Sequence, residues 1–137
     1  MINWLAVIVV AIAHLILGSI WYGPIFGKAW MEIAGMTAMS PEQKKAMQKK
    51  MMPMYLLQFA LSILTAWVLA WNIGMIGTVS GIQVAFWVWL GFVMPVVAGN
   101  SMWSGKSKKI AWKMFWITTS YNLIAFLIAG AIIGGWK

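Results

Sequence analysis

The sequence has no cysteine, no aspartate and no arginine among its 137 residues. Its only acidic residues are Glu32 and Glu42, and its only histidine is His14. Without a thiol there is no thiolate nucleophile, disulfide or thiolate metal site. One histidine and two carboxylates are also too few for a Ser–His–acid triad, a paired-carboxylate site or a single-chain zinc site. We therefore expect a non-enzymatic chain with no metal and no cofactor.

Charged residues are scarce, and apolar residues dominate. Only 9% of the residues are charged, against about 25% in a soluble domain, whereas 63% are hydrophobic and the mean hydropathy is +0.85. A chain of this size cannot hide so much apolar surface from water. Four apolar runs, at residues 3–22, 53–72, 82–102 and 110–133, each approach the ~20 residues that a helix needs to cross a bilayer. We expect an all-α membrane protein, a bundle of four transmembrane helices in a single domain of residues 1–137.

The distribution of lysine predicts the orientation of this bundle. Nine of the ten lysines lie in the segment between the first two runs or near the turn between the last two, and the connection at residues 74–81 has none. Loops rich in lysine stay in the cytoplasm, so both termini should lie outside. The first run has no positive residue before it and no A-x-A site, so we expect it to be retained rather than cleaved as a signal peptide.

Aromatic residues and helix breakers are concentrated in GSIWYGPIFGKAW, residues 18–30. Trp21 and Tyr22 fall where the first helix should reach the lipid headgroups, a depth that amphipathic rings favour. Gly23 and Pro24 are expected to end that helix. A short amphipathic segment should then lie in the interface. Two interpretations remain open: an anchor for re-entry into the membrane, or the rim of a ligand site with Lys28 as an anion contact.

The same stretch resembles the bacterial membrane-protein family called domain of unknown function 1761, which has a Trp-Tyr-x-Pro-x-Phe-Gly-Lys-x-Trp signature after its first helix. The segments SPEQKKAMQKKMMPMY and WLGFVMP are also similar to segments of that family. The resemblance covers nearly the whole chain and implies a four-helix protein of the bacterial inner (cytoplasmic) membrane without an assigned activity. The matching signature residues are Trp21, Tyr22, Pro24, Phe26, Gly27, Lys28 and Trp30.

A basic amphipathic helix is predicted between the first and second transmembrane helices, within a cytoplasmic loop of residues 23–52. Ser40, Pro41 and Gln43 have the spacing of a capping box with proline at the first helical position. Lysines beside a membrane span attract anionic lipid by about 1 kcal/mol each. Anionic lipids are therefore an expected partner, with simple retention of topology as the alternative, and no nucleic-acid partner is expected. The lipid-contacting lysines would be Lys44, Lys45, Lys49 and Lys50.

Polar residues inside the predicted helices are the candidates for a binding site. His14 falls near the middle of the first helix, and an ionisable group at that depth suggests a function. The alternative is a neutral histidine that hydrogen-bonds to a neighbouring helix. The predicted depths place most polar groups in the cytoplasmic half, so a cavity should open inward. The candidate ligand-binding residues are His14, Gln58, Ser62, Thr118, Tyr121 and Asn122.

Small residues in the last run suggest self-association. Ala125 and Ala129 share one helix face, and Gly130 and Gly134 share another that is rotated by about 100°. Missing side chains allow close helix approach in lipid. We expect the alanines to serve the chain's own core and the glycines to meet a second copy in a homo-oligomer.

Three functional classes are compatible with the sequence. The first is a non-enzymatic membrane protein that binds or passes a small molecule or lipid through an inward-opening polar site. The second is a structural or accessory subunit whose polar residues serve only helix packing. The third is a membrane enzyme assembled from several chains. The sequence favours the first and does not identify the ligand.

Overall fold

The computed structural model describes residues 1–136, and that part of the chain is built from helices joined by short connections. Four helices are long and apolar enough to span a membrane, which confirms the predicted helix number. We call them the first to fourth long helices: Trp4–Ile25, Met52–Ile76, Gly81–Met102 and Lys108–Gly135. Each extends beyond its predicted run at one end or both, because polar and glycine residues at the ends continue the helix.

The long helices are subdivided as follows, with two shorter helices between the first and second. The order is α1 (Trp4–Ile20), π1 (Trp21–Ile25), α2 (Gly27–Ile33), α3 (Pro41–Lys50), α4 (Met52–Ile76), α5 (Gly81–Val88), π2 (Trp89–Val93), α6 (Met94–Met102) and α7 (Lys108–Gly135). The segments π1 and π2 are single π-helical turns within the first and third long helices.

Polar caps determine where several of these helices begin. The Asn3 side chain accepts a hydrogen bond from the amide of Ala6 at the start of α1. Ser40 forms the predicted capping box with Gln43, which is confirmed, and Ser80 forms the same arrangement at the start of α5. At the other end of α4, Gly77 adopts a left-handed conformation with φ of 62°, which residues with a side chain rarely adopt.

The first long helix ends close to the predicted Gly23 and Pro24, but one residue later, at Ile25, and through the π-turn π1. The helix continues through π1, and the amide of Phe26 donates to the carbonyl of Trp21, 2.9 Å away and five residues earlier. Proline has no N–H to donate, so the regular hydrogen bond over four residues is missing at Pro24. Hydrogen bonding over five residues, in a wider π-turn, takes its place. Pro95 differs in position, because it lies two residues after the end of π2, in the first turn of α6.

The fourth long helix lies at the centre of the packing. α7 contacts α1, α4, α5 and α6, and α1 also packs along α4. Apolar side chains fill the core between them, including Val7, Val10, Ala66, Leu69, Ala85, Phe126 and Ala129. The predicted core role of Ala125 and Ala129 agrees with their burial.

Glycines bring α5 and α7 into direct backbone contact. A Cβ added to Gly130 would lie 2.5 Å from the carbonyl oxygen of Gly81 and 2.7 Å from the Cβ of Ala85. A Cβ on Gly134 would lie 2.9 Å from the Cα of Gly81. The predicted contact of Gly130 and Gly134 with a second copy is therefore wrong, because α5 of the same chain covers this face. Homo-oligomerisation itself stays a prediction.

Candidate functional site

The buried side chain of His14 takes part in the packing of α1 against α7. Its side chain is only 6% exposed, and Nε2 lies 2.9 Å from the carbonyl oxygen of Ala125 on α7. A carbonyl only accepts, so Nε2 carries the proton and donates. In return, the hydroxyl of Tyr121 donates to the backbone carbonyl of His14 over 3.0 Å. These reciprocal bonds agree with the alternative of a histidine that joins two helices.

Two further side chains extend this connection along both helices. The indole Nε1 of Trp21 donates to the carbonyl of Ile117 over 3.0 Å, and the amide Nδ2 of Asn3 donates to the carbonyl of Trp136 over 3.0 Å. Positions 3, 14 and 21 lie about three and two helical turns apart, so they share one side of the first long helix. The first and last described helices are therefore antiparallel and joined by side chains at three levels.

The other predicted ligand-binding residues do not form one polar site. Ser62 is buried, whereas Gln58 is exposed on the outside of α4, which corrects its assignment to the His14 group. Asn122 donates to the carbonyl of Thr118 on its own helix over 2.9 Å. Thr118 lies beside Tyr22. The two cavities described below are lined by none of the six predicted residues.

The aromatic residues of the signature form a cluster against α7. The ring centroids of Trp21 and Phe26 are 5.2 Å apart, and those of Tyr22 and Trp30 are 4.8 Å apart. Tyr22 also approaches Tyr121, with 5.5 Å between ring centroids. These contacts fold α2 back toward the fourth long helix. The motif therefore has a packing role that extends beyond an anchor at the surface.

Polar contacts join the end of α2 to the start of α7 and to the turn before it. Glu32 and Lys113 form a salt bridge of 3.1 Å, and Nζ of Lys106 donates to the carbonyl of Ile33 over 3.2 Å. A cation near the last carbonyls of a helix is electrostatically favourable. Lys28, the predicted anion contact, is exposed, and no hydrogen bond or ion pair joins it to the rest of residues 1–136.

The basic helix α3 projects its charge outward. Lys45, Lys49 and Lys50 are exposed and Lys44 is half-buried. In the part of the chain that the structure describes, the one salt bridge is that of Lys113, so the α3 lysines have no carboxylate partner. Their contact with anionic lipid stays a prediction.

A cavity of about 540 Å³ lies between α6 and α7 at the lysine-rich end. Ser101 in its wall is only 4% exposed. Much of the remaining wall is apolar, and two lysines add positive charge. The residues that line it are Ala98, Ser101, Met102, Lys106, Lys108, Ala111, Trp112 and Phe115.

Thr119 continues the cavity-lining side of α7. It lies four residues after Phe115 and seven after Trp112, so all three share one face. Thr119 is 5% exposed, and its hydroxyl has no hydrogen-bond partner among the described residues. The sequence predicts a cavity on the lysine-rich side of the bundle, but the residues that line it are not the six predicted ones. The available signal was the combination of Ser101 on α6 with lysine and aromatic residues at three- and four-residue spacing on α7.

A second cavity of about 290 Å³ forms a groove between α4, π2 and α7. Its wall is apolar apart from Thr65 and Asn72. The Thr65 hydroxyl donates to the carbonyl of Leu61 over 3.0 Å, and the Asn72 amide donates to that of Val68 over 2.8 Å. Both polar groups are thus bonded only to their own helix.

The helices and cavities define a small all-helical protein with four potential membrane spans. Within residues 1–136, no group of three or more histidine, cysteine, aspartate or glutamate side chains could hold a metal ion. Residues 5–134 match the family described as "Protein of unknown function (DUF1761)", and the chain belongs to that family. No curated protein and no solved structure matches the chain.

Proposed function

We propose that the protein is a non-enzymatic, multi-pass protein of the bacterial inner membrane that binds an anionic amphiphile between α6 and α7. The observation that carries this proposal is the cavity of about 540 Å³, with a largely apolar wall and two lysines. Its size is within the range of about 300–1,000 Å³ that is typical of small-molecule sites. An amphiphile would place its chain along the helices and its anionic group beside the lysines.

Charge and depth support this class of ligand. The chain has a net charge of +8, and Glu32, one of its two acids, is already paired with Lys113. Lys108 has no carboxylate partner within residues 1–136. Trp112, one turn further along α7, is the type of residue that favours the boundary between headgroups and acyl chains. The proposed ligand therefore binds at the inner membrane surface.

The proposed orientation places the lysine-rich end in the cytoplasm and both termini in the periplasm. The hydrogen bond between Asn3 and Trp136 brings the start of the first long helix next to the end of the fourth. Nine lysines lie in the connections at the other end of the bundle or in the adjoining helix turns. The positive-inside rule then supports this orientation.

Binding can be tested by native mass spectrometry of the delipidated protein in mild detergent. Phosphatidylglycerol should bind with a stoichiometry near one per chain and phosphatidylcholine should bind more weakly. Lys108→Gln should weaken phosphatidylglycerol binding about fivefold, because one lysine–lipid attraction contributes about 1 kcal/mol. Ala111→Leu, which narrows the cavity, should also lower occupancy.

Lys109→Gln is the matched control, because it removes the same charge from the same turn without changing the cavity lining. Equal losses from Lys108→Gln and Lys109→Gln would indicate diffuse attraction to the surface. Unchanged binding in Ala111→Leu would show that the lipid lies outside the cavity. Either result would contradict the proposed site.

A structural or accessory subunit is the second candidate function. It is favoured by the use of His14, Tyr121 and Trp21 in bonds between the first and fourth long helices. In that case the bundle would act through its fold and its contacts with other proteins. Failure of phosphatidylglycerol to bind above the level of phosphatidylcholine would support this alternative.

A further inference from the structure

Three polar residues recur every seven positions on the outer side of α4: Gln58, Thr65 and Asn72. They lie about a quarter of a turn from the side that packs in the core, where Ser62 and Ala66 are buried. Gln58 is exposed, and Thr65 and Asn72 are partly exposed. Threonine, asparagine and glutamine side chains in transmembrane helices can hydrogen-bond across a helix interface. This side of α4 is therefore suited to a protein neighbour when the helix lies in lipid.

Apolar residues alternate with these polar residues at spacings of three and four. Leu61 and Val68 are each 47% exposed, Met54 is 50% exposed and Met75 is 71% exposed. Together the seven residues repeat every 3.5 positions on average, which is the pattern by which two helices pack in a left-handed pair. We call these seven residues the α4 row.

The chain itself gives the polar members of the α4 row little support. Thr65 and Asn72 bond only to carbonyls of their own helix, and the structure shows no hydrogen bond for Gln58 within residues 1–136. An asparagine or glutamine amide has two N–H donors and one acceptor oxygen. Hydrocarbon can satisfy none of them, so each amide retains the capacity to bond across a helix interface.

We propose that two copies of the protein associate side by side through the α4 row, as a parallel two-fold dimer. Copies inserted in the same direction place identical residues at the same depth. Gln58, Thr65 and Asn72 would each meet their own equivalent, and all three residue types both donate and accept hydrogen bonds. The row contains no charge that would repel its own copy. The surface is thus complementary to itself.

The groove beside the α4 row provides space for this contact. It has a volume of about 290 Å³, and Thr65, Val68 and Asn72 contribute to its wall. Side chains of an incoming α4 can enter it without displacing the core. The proposal is independent of the amphiphile cavity, which is lined by α6, α7 and the turn between them.

Cysteine cross-linking can test the contact directly, because the natural chain has no cysteine. We would introduce Gln58→Cys, Leu61→Cys or Thr65→Cys singly into the full chain and oxidise isolated membranes with copper phenanthroline. Each variant should give a disulfide-linked dimer. Leu56→Cys is the control: it is 75% exposed at a similar depth, but two residues from Gln58 correspond to about 200° around the helix.

A second measurement removes the polar contacts. Gln58→Leu combined with Asn72→Leu should raise the dimer dissociation constant about three- to tenfold in mild detergent, the range expected for interhelical hydrogen bonds. Leu56→Ala should leave it unchanged, and circular dichroism would verify that each variant is helical.

The proposal would be overturned by a monomeric wild type at all concentrations, by cross-linking of the Leu56→Cys variant as efficient as that of the row variants, or by an unchanged dissociation constant in the double variant. A cross-link from Leu61→Cys to a different protein would also overturn it and would assign the row to a heterologous partner.

Discussion

Two side chains of the first long helix make their hydrogen bonds with backbone carbonyls of the neighbouring fourth long helix. His14 bonds to Ala125 and Trp21 bonds to Ile117, both on α7. A carbonyl that already accepts one helical bond has a second lone pair, so a side chain can bond to it without breaking the helix. This chemistry joins helices and leaves the donor unavailable for a ligand.

The substitution His14→Leu should lower the free energy of unfolding by about 1 kcal/mol, since interhelical hydrogen bonds in membrane proteins contribute about 0.6–1.7 kcal/mol. His14→Gln retains a donor and should recover part of the loss. Unfolding in mixed lipid–detergent micelles would measure both variants. Phosphatidylglycerol binding should stay at the wild-type level, and a selective loss of binding would instead assign His14 to the ligand.

At this scale the sequence predicts the type and depth of each polar residue but not its partner. The burial of His14 and Ser62 follows from the polar pattern, whereas Gln58 has the same spacing and is exposed. The difference depends on the rotation of α4 about its axis, which core packing decides. The partner of His14 is a backbone atom, and every residue has such an atom, so no sequence motif marks it.

Among the helices, the closest contact is the one between α5 and α7. Gly81, Gly130 and Gly134 let two backbones meet where side chains would overlap. The sequence indicated that such a face exists, because glycines four residues apart suit close packing. It did not indicate whether α5 or a second chain would occupy it, because both provide a similar apolar surface.

The substitution Gly81→Ala should destabilise the protein by about 1–3 kcal/mol, the usual cost of overpacking. Its Cβ would overlap the carbonyl oxygen of Gly130. Gly91→Ala is the control in the same long helix, because nothing lies within 4 Å of its added Cβ. Thermal unfolding of both variants would measure the difference. Equal stability would contradict the close packing described here.

The whole molecule has a strong asymmetry of charge between its two ends. The helix number, the asymmetry and the family could be predicted from the sequence, because they depend on composition and on local patterns. The π-turn at Pro24 and the residues that line the cavity beside Ser101 could not, because they depend on how a turn widens and on how α6 separates from α7.

A reporter that is active only in the periplasm should work when it is fused after Lys137. A reporter that is active only in the cytoplasm should work when it is inserted between α2 and α3. The reason is the placement of nine lysines at one end of the bundle. Alkaline phosphatase is the reporter for the periplasm, and green fluorescent protein is the reporter for the cytoplasm. The reverse pattern would contradict the proposed orientation and the inner-surface position of the amphiphile cavity.

The pairing of the first long helix with the fourth also sets the timing of folding. Synthesis runs from the amino end, so α1 is complete while α7 has not yet been made. Until then His14 and Trp21 lack the carbonyls of Ala125 and Ile117 to which they bond. The newborn chain therefore holds unsatisfied polar groups through most of its elongation, and a chain truncated before α7 retains them. We expect such a fragment to be degraded by quality-control proteases and to accumulate less than the full chain.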